Sequence, residues 1–201
     1  MNPTADSCPD ASEYIRIFIA IDTNHEVKQK LGRIQEEFRK LDAGVRWVAP
    51  EIMHLTLVFL GDIPANRSES VSAAVTGVAA MSAPFSYDIS GLGFFGSTRS
   101  PRAIWAGIGP CPPMAKLQQL LSTAVRDLGF AVEDRPFKPH LTIGRVRSIR
   151  NTGAVVQKIQ SCAYTPFGRV QTDSVLLIRS RLKPQGPEYS VIHSARLGAS
   201  S

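Results

Sequence analysis

Apolar residues fall on every second position at Ile15, Ile17, Ile19 and Ile21 in "YIRIFIAID", and this β-branched alternation predicts a strand. The period then changes. Val27, Leu31, Ile34 and Phe38 recur at helical spacing until Gly44, and Thr23-Asn24-His25-Glu26 fits a T-x-x-E capping box ahead of them. "VRWVAP" and "HLTLVFLG" are two more strand-like pieces with Pro50 between them. Residues 66–81 predict a helix with Val71, Val75 and Val78 on one stripe, and "FSYDISGLGFFG" and "PRAIWAGIG" predict a strand pair around a Ser97–Ser100 turn. Met114 to Leu128 carries a long apolar stripe closed by Gly129, the signature of a helix with its C-cap glycine. A strand in "FKPHLTIGRV", a short helix over Val155–Ser161, and strands in "RVQTDSVLLIRSRL" and "YSVIHSARL" around a Pro184–Pro187 turn complete the chain. Strands and helices mix without regular alternation, which predicts an α+β fold rather than a doubly wound sheet.

Composition narrows the classes. The chain has 201 residues, 43% hydrophobic and 20% charged, which predicts one compact ordered unit from residue 13 onward after a loose polar arm at 1–12. A net charge of +6 favours an anionic partner such as nucleotide, RNA or a phosphorylated metabolite. Three scattered cysteines without a C-x-x-C pair suggest neither a disulfide framework nor a zinc cluster. No run of 18 apolar residues and no signal-like start occurs, so a cytoplasmic protein without membrane contact is expected.

One short pattern occurs twice. "MHLTLVFLG" and "PHLTIGRV" share H-L-T followed by an aliphatic residue, nearly half the chain apart, which predicts two half-size lobes each delivering one His-x-Thr. Alternation sets His54 and Thr56 on one face of their strand, with Leu55, Leu57 and Phe59 on the other. His140 and Thr142 face one way, Leu141 and Ile143 the other. Burying imidazole or hydroxyl without a partner costs about 1–3 kcal/mol, so two such faces imply a polar-lined cleft. His25 and His193 have no companion threonine and read as structural or solvated.

Two imidazoles titrating near neutrality can serve as acid and base in hydrolysis of a cyclic phosphodiester. Threonine hydroxyls would donate to non-bridging phosphoryl oxygens, and a guanidinium would stabilise their charge. The scheme requires no metal and no cofactor.

The paired motifs, together with "VRWVAPEIMHLTLVFLGDI", "PRAIWAGIG", "EDRPFKPHLTIGRV" and "LIRSRLKPQGPEYSVI", resemble the 2H phosphoesterase superfamily. Within it they resemble the RNA 2′,3′-cyclic phosphodiesterases, also called 2′-5′ RNA ligases, over nearly everything from Tyr14 to Leu197. The resemblance implies a bilobal fold of two pseudo-symmetric lobes, with mainly antiparallel sheets lining a central cleft and helices outside. It implies His54 as proton donor to the 3′ oxygen, His140 as proton acceptor from water, and Thr56, Thr142 and Arg145 on the phosphate. The implied product is a 2′-phosphomonoester, with weak reverse 2′-5′ joining, and the implied partners are RNA ends or nucleotides met by a monomer. The acid and base roles come from the family, because the two motifs are symmetric in sequence.

Strict alternation puts Arg145 on the face opposite His140, so its role requires a bulge or strand end at Gly144. Arg135, Lys138, Arg147 and Arg150 suggest a basic rim for RNA backbone. "GLGFFG" matches G-x-G-x-x-G but leads into another strand instead of a helix, which rejects a dinucleotide loop. Two alternatives stay open: a non-catalytic module that holds RNA ends or nucleotides, and an esterase for small cyclic phosphates such as one derived from ADP-ribose.

Overall fold

The isoleucine alternation becomes the strand β1 (Tyr14–Asp22), with Ile15, Ile17, Ile19 and Ile21 buried toward the core. The computed structural model describes residues 13–148, 150–184 and 186–198, so the arm expected over 1–12 lies outside the described residues. Helix α1 (His25–Arg39) follows, then the short strand β2 (Val45–Trp47), a 3-10 turn at Pro50–Ile52, and β3 (His54–Pro64). Next come α2 (Ser68–Ala80), β4 (Phe85–Gly96), β5 (Pro101–Ile108), α3 (Pro112–Asp127) and β6 (His140–Val146). Helix α4 (Thr152–Ser161) precedes β7 (Pro166–Thr172), β8 (Ser174–Lys183) and β9 (Gly186–Arg196).

All nine strands join one antiparallel sheet in the order β7-β4-β5-β6-β3-β1-β8-β9, with β2 beside β6. The two His-x-Thr strands meet at its middle, where Leu55 pairs with Leu141 as the one shared position of β3 and β6 among the described residues. This is an α+β fold with β3, β1, β8 and β9 on one side of that junction and β6, β5, β4 and β7, joined by the short β2, on the other. The lobes are not the two halves of the sequence: β8 and β9 complete the lobe of β1 and β3, and β4 and β5 belong to the lobe of β6. Helices cross over as well. Helix α1 packs on β7 and α3 packs on β3, so each is carried by the lobe opposite the strand that precedes it. One apolar core runs under both lobes. No helix among the described residues is long and apolar enough to cross a membrane.

Local chemistry explains most boundaries, with two corrections. Asn24, not Thr23, caps α1: its side chain accepts from the Val27 N–H at 3.0 Å, and Glu26 turns to Lys30 at 2.7 Å instead of closing a capping box. The continuous strand pattern of "RVQTDSVLLIRSRL" breaks at Asp173, between β7 at one edge of the sheet and β8 near the other. The Asp173 carbonyl there accepts from Leu197 N at 2.7 Å, a contact invisible in a local pattern. Gly129 closes α3 as expected, in the left-handed region at φ +85° directly after the Leu128 C-cap. "GLGFFG" lies wholly within β4, where a Cβ on Gly93 would fall 2.3 Å from the Trp105 ring, so glycine there makes room for indole.

Candidate active site

His54 and Thr56 enter the cleft from β3, and His140 and Thr142 enter it from β6. All four line one cavity of about 820 Å³, together with Arg145. Leu55 and Leu141, between each His and Thr, are fully buried on the opposite face, as alternation requires. Thus the five residues singled out from the sequence are brought together.

Alternation fails just beyond the threonines, and it fails identically in both strands. Between Ile19↔Val58 and Ala20↔Thr56 the ladder skips Leu57, and between Ile104↔Gly144 and Trp105↔Thr142 it skips Ile143. Each skip is a β-bulge that inserts one residue and reverses the facing of the residues beyond it. Phe59 therefore lies on the histidine face, 48% exposed and lining the cavity, which corrects the expectation that it shares a face with Leu55. Arg145, at the matching place in β6, reaches the cavity for the same reason. A buried glutamine holds the second bulge: Gln35 of α1 donates through Nε2 to Ile143 O at 2.8 Å and to Val48 O at 2.7 Å. Nothing in the local sequence around Gln35 signals this role.

Each imidazole is set by its own backbone. His54 Nδ1 lies 2.8 Å from the Ile52 carbonyl, and His140 Nδ1 lies 2.7 Å from the Lys138 carbonyl. A carbonyl oxygen only accepts, so each contact requires the proton on Nδ1 and leaves Nε2 free to take or give one. Aromatic rings close round both. Phe18 stacks on His54 at 4.7 Å with Tyr189 edge-on at 5.1 Å, and Phe95 stands edge-on to His140 at 4.8 Å.

Burial holds both imidazoles below the usual histidine pKa, and the backbone carbonyls partly oppose it. Their charged neighbours differ in sign. The Asp22 carboxylate favours protonation of His54, weakened by Lys28, which lies 2.6 Å from Asp22. Near His140 the Arg145 guanidinium disfavours it. Burial also raises the Tyr189 phenol, and Arg145 lowers it, so the Arg145 charge is felt on both sides of the cleft.

The basic rim differs from the one expected. Arg147 alone of the four sequence candidates lines the cavity; Arg135 is engaged with Glu133, and the Lys138 carbonyl serves His140. The other cations on the cavity wall are Arg16, Arg46, Arg145 and Lys183, of which Arg16 and Lys183 are paired with Asp62 and Glu188. His25 meets Gln29 and His193 meets Thr76 on the surface, away from the cleft. Among the described residues no three His, Cys, Asp or Glu side chains gather in a way that could hold a metal ion.

Comparison with known proteins accords with this geometry. The family model described as LigT like Phosphoesterase matches residues 21–105 and 108–189, one His-x-Thr in each stretch. A Methanothermobacter thermautotrophicus protein named RNA 2′,3′-cyclic phosphodiesterase is 32% identical over 183 residues, covering 91% of this chain and 99% of its own. A Thermotoga maritima protein of the same name is 33% identical over 182 residues, covering 90% and 95%. The crystal structure of TT0787 of Thermus thermophilus superposes with a TM-score of 0.80 at 28% identity, over 93% of this chain and 100% of that one. With both halves of the family pattern present in order, and full-length relatives above 30% identity, the chain belongs to the LigT-like phosphoesterase family.

Proposed function

We propose that the protein hydrolyses RNA or nucleotide 2′,3′-cyclic phosphate ends to a 2′-phosphomonoester, with His54 and His140 as its acid and base. The observation that carries the reading is the pair of imidazoles, one from each lobe, lining a single cavity with Nδ1 of each tied to a backbone carbonyl and Nε2 left for proton transfer. Relatives named RNA 2′,3′-cyclic phosphodiesterase support the substrate class.

Neutral His140 takes a proton from water as the oxygen attacks phosphorus. The bond from phosphorus to the 3′ oxygen breaks, and protonated His54 delivers its Nε2 proton to that oxygen, leaving a 3′-hydroxyl and a 2′-phosphate. The hydroxyls of Thr56 and Thr142 donate to the non-bridging oxygens, and Arg145 offsets the charge that grows on them. The unlike charges beside the two rings support the assignment, since Asp22 favours the cationic form of His54 and Arg145 the neutral form of His140. Nothing in this scheme uses a metal. The exposed Phe59 ring on the cavity wall offers a face for a base.

The test is to incubate the protein, in excess chelator, with an oligonucleotide ending in 2′,3′-cyclic phosphate and to follow the product by phosphorus NMR. A 2′-phosphate is expected. His54→Ala and His140→Ala should each lower kcat by roughly 10²- to 10⁴-fold. Full turnover in either folded variant defeats the mechanism, and tight salt-sensitive binding without product favours a binding module instead.

A further inference from the structure

A 2′,3′-cyclic phosphodiester carries a single negative charge, and Arg145 with two threonine hydroxyls already answers it. The cavity holds more positive charge than that. Arg46 and Arg147 line the same wall, and among the described residues neither is within ion-pair distance of a carboxylate. Arg46 stands directly opposite Arg145 where β2 pairs with β6, so two like charges project to one face. Such a pair is destabilising by itself, a repulsion that an anion between or beside the guanidiniums relieves. Arg147, the first residue after β6, lines the same cavity as Arg145. Strand β2 takes the place along β6 that β3 leaves after the Leu55↔Leu141 contact, so these cations extend the cleft away from the histidines. The Arg46 guanidinium also reaches the start of β9 in the other lobe: a Cβ on Gly186 would lie 2.7 Å from its Nη2.

We propose that Arg46 and Arg147 form a second anion subsite for the internucleotide phosphodiester one step 5′ of the terminal cyclic phosphate. The subsite makes the enzyme select RNA ends over free nucleoside cyclic phosphates, and it rests on the cyclic phosphodiesterase reading above.

Three substrates decide it: a nucleoside 2′,3′-cyclic phosphate, a dinucleotide ending in the same group, and that dinucleotide with its internal phosphodiester replaced by a neutral methylphosphonate. The wild-type protein should turn over the charged dinucleotide with kcat/KM on the order of tenfold above the mononucleotide, mainly through KM, as expected for one charge-assisted contact. The neutral dinucleotide should lose that advantage without any change to the protein. In the Arg46→Ala/Arg147→Ala double variant the ratio of charged dinucleotide to mononucleotide should fall toward one. Equal kcat/KM for all three substrates in the wild type, or a ratio that survives the double substitution, overturns the subsite while leaving the cyclic phosphodiesterase reading intact. No turnover of any of the three by the wild type overturns both.

Discussion

An imidazole ringed by aromatic side chains and bonded to a carbonyl through Nδ1 has one free nitrogen and a depressed affinity for protons. Both consequences can be measured. Because burial lowers the folded-state pKa of His54 and His140, the unfolded chain binds more protons in the window below the usual histidine value of about 6.5. Stability contributed by these two sites is therefore complete above that value and is lost as the pH falls through and below it. Chemical denaturation at successive pH values should show the ligand-free protein weakening through that window, and the His54→Ala/His140→Ala double variant should show a shallower dependence. An equal slope in both proteins refutes the linkage. The proposed mechanism needs one ring charged and the other neutral, so kcat/KM should fall on both sides of an optimum, with the two apparent pKa values belonging to the pair.

The bulges in β3 and β6 do for the strands what alternation cannot. Were β3 and β6 paired regularly at Leu57 and Ile143, with no bulge, Phe59 and Arg145 would point into the core face instead of the cleft. Gln35 pins the second bulge from a fully buried position, donating to the carbonyl of the inserted residue itself. Gln35→Met keeps the bulk and removes both hydrogen bonds, leaving Val48 O without its donor, at a cost of about 1–3 kcal/mol. Thermal melting should register that loss, and KM for cyclic phosphate should rise as Arg145 loses its aim. A lower melting temperature with unchanged KM and kcat would make Gln35 structural only.

Across the two lobes, the histidines are held in mutual register by the fully buried Leu55–Leu141 contact. Leu141→Ala should cost about 2–5 kcal/mol and lower kcat as well, because the junction sets how the two lobes face the phosphorus. Denaturant melts and single-turnover rates read the two effects separately, and undiminished chemistry in the destabilised variant would show that the junction does not set the geometry. Net charge acts over the same distance. With +6 overall and several arginines along the cleft, KM for an oligonucleotide end should rise with salt more steeply than KM for a mononucleotide. Parallel salt dependences would mean that only the terminal nucleotide is held electrostatically.

The linear chain already carries the local periods and the repeated motif: strand and helix stretches, the α+β class, two His-x-Thr faces and the rejection of "GLGFFG" as a nucleotide loop. These are legible because side-chain facing in a regular strand or helix depends only on near neighbours. Other features exist only once the sheet is assembled. Assembly split one strand pattern at Asp173 and exchanged strands and helices between the lobes, because those choices depend on which distant edges can pair. It turned Phe59 and Arg145 into the cleft through bulges stabilised in part by a glutamine from another element, and it set Arg46 opposite Arg145. A single strand carries no record of the partner against which its register slips, so the residues that share a cavity emerge only from the folded whole.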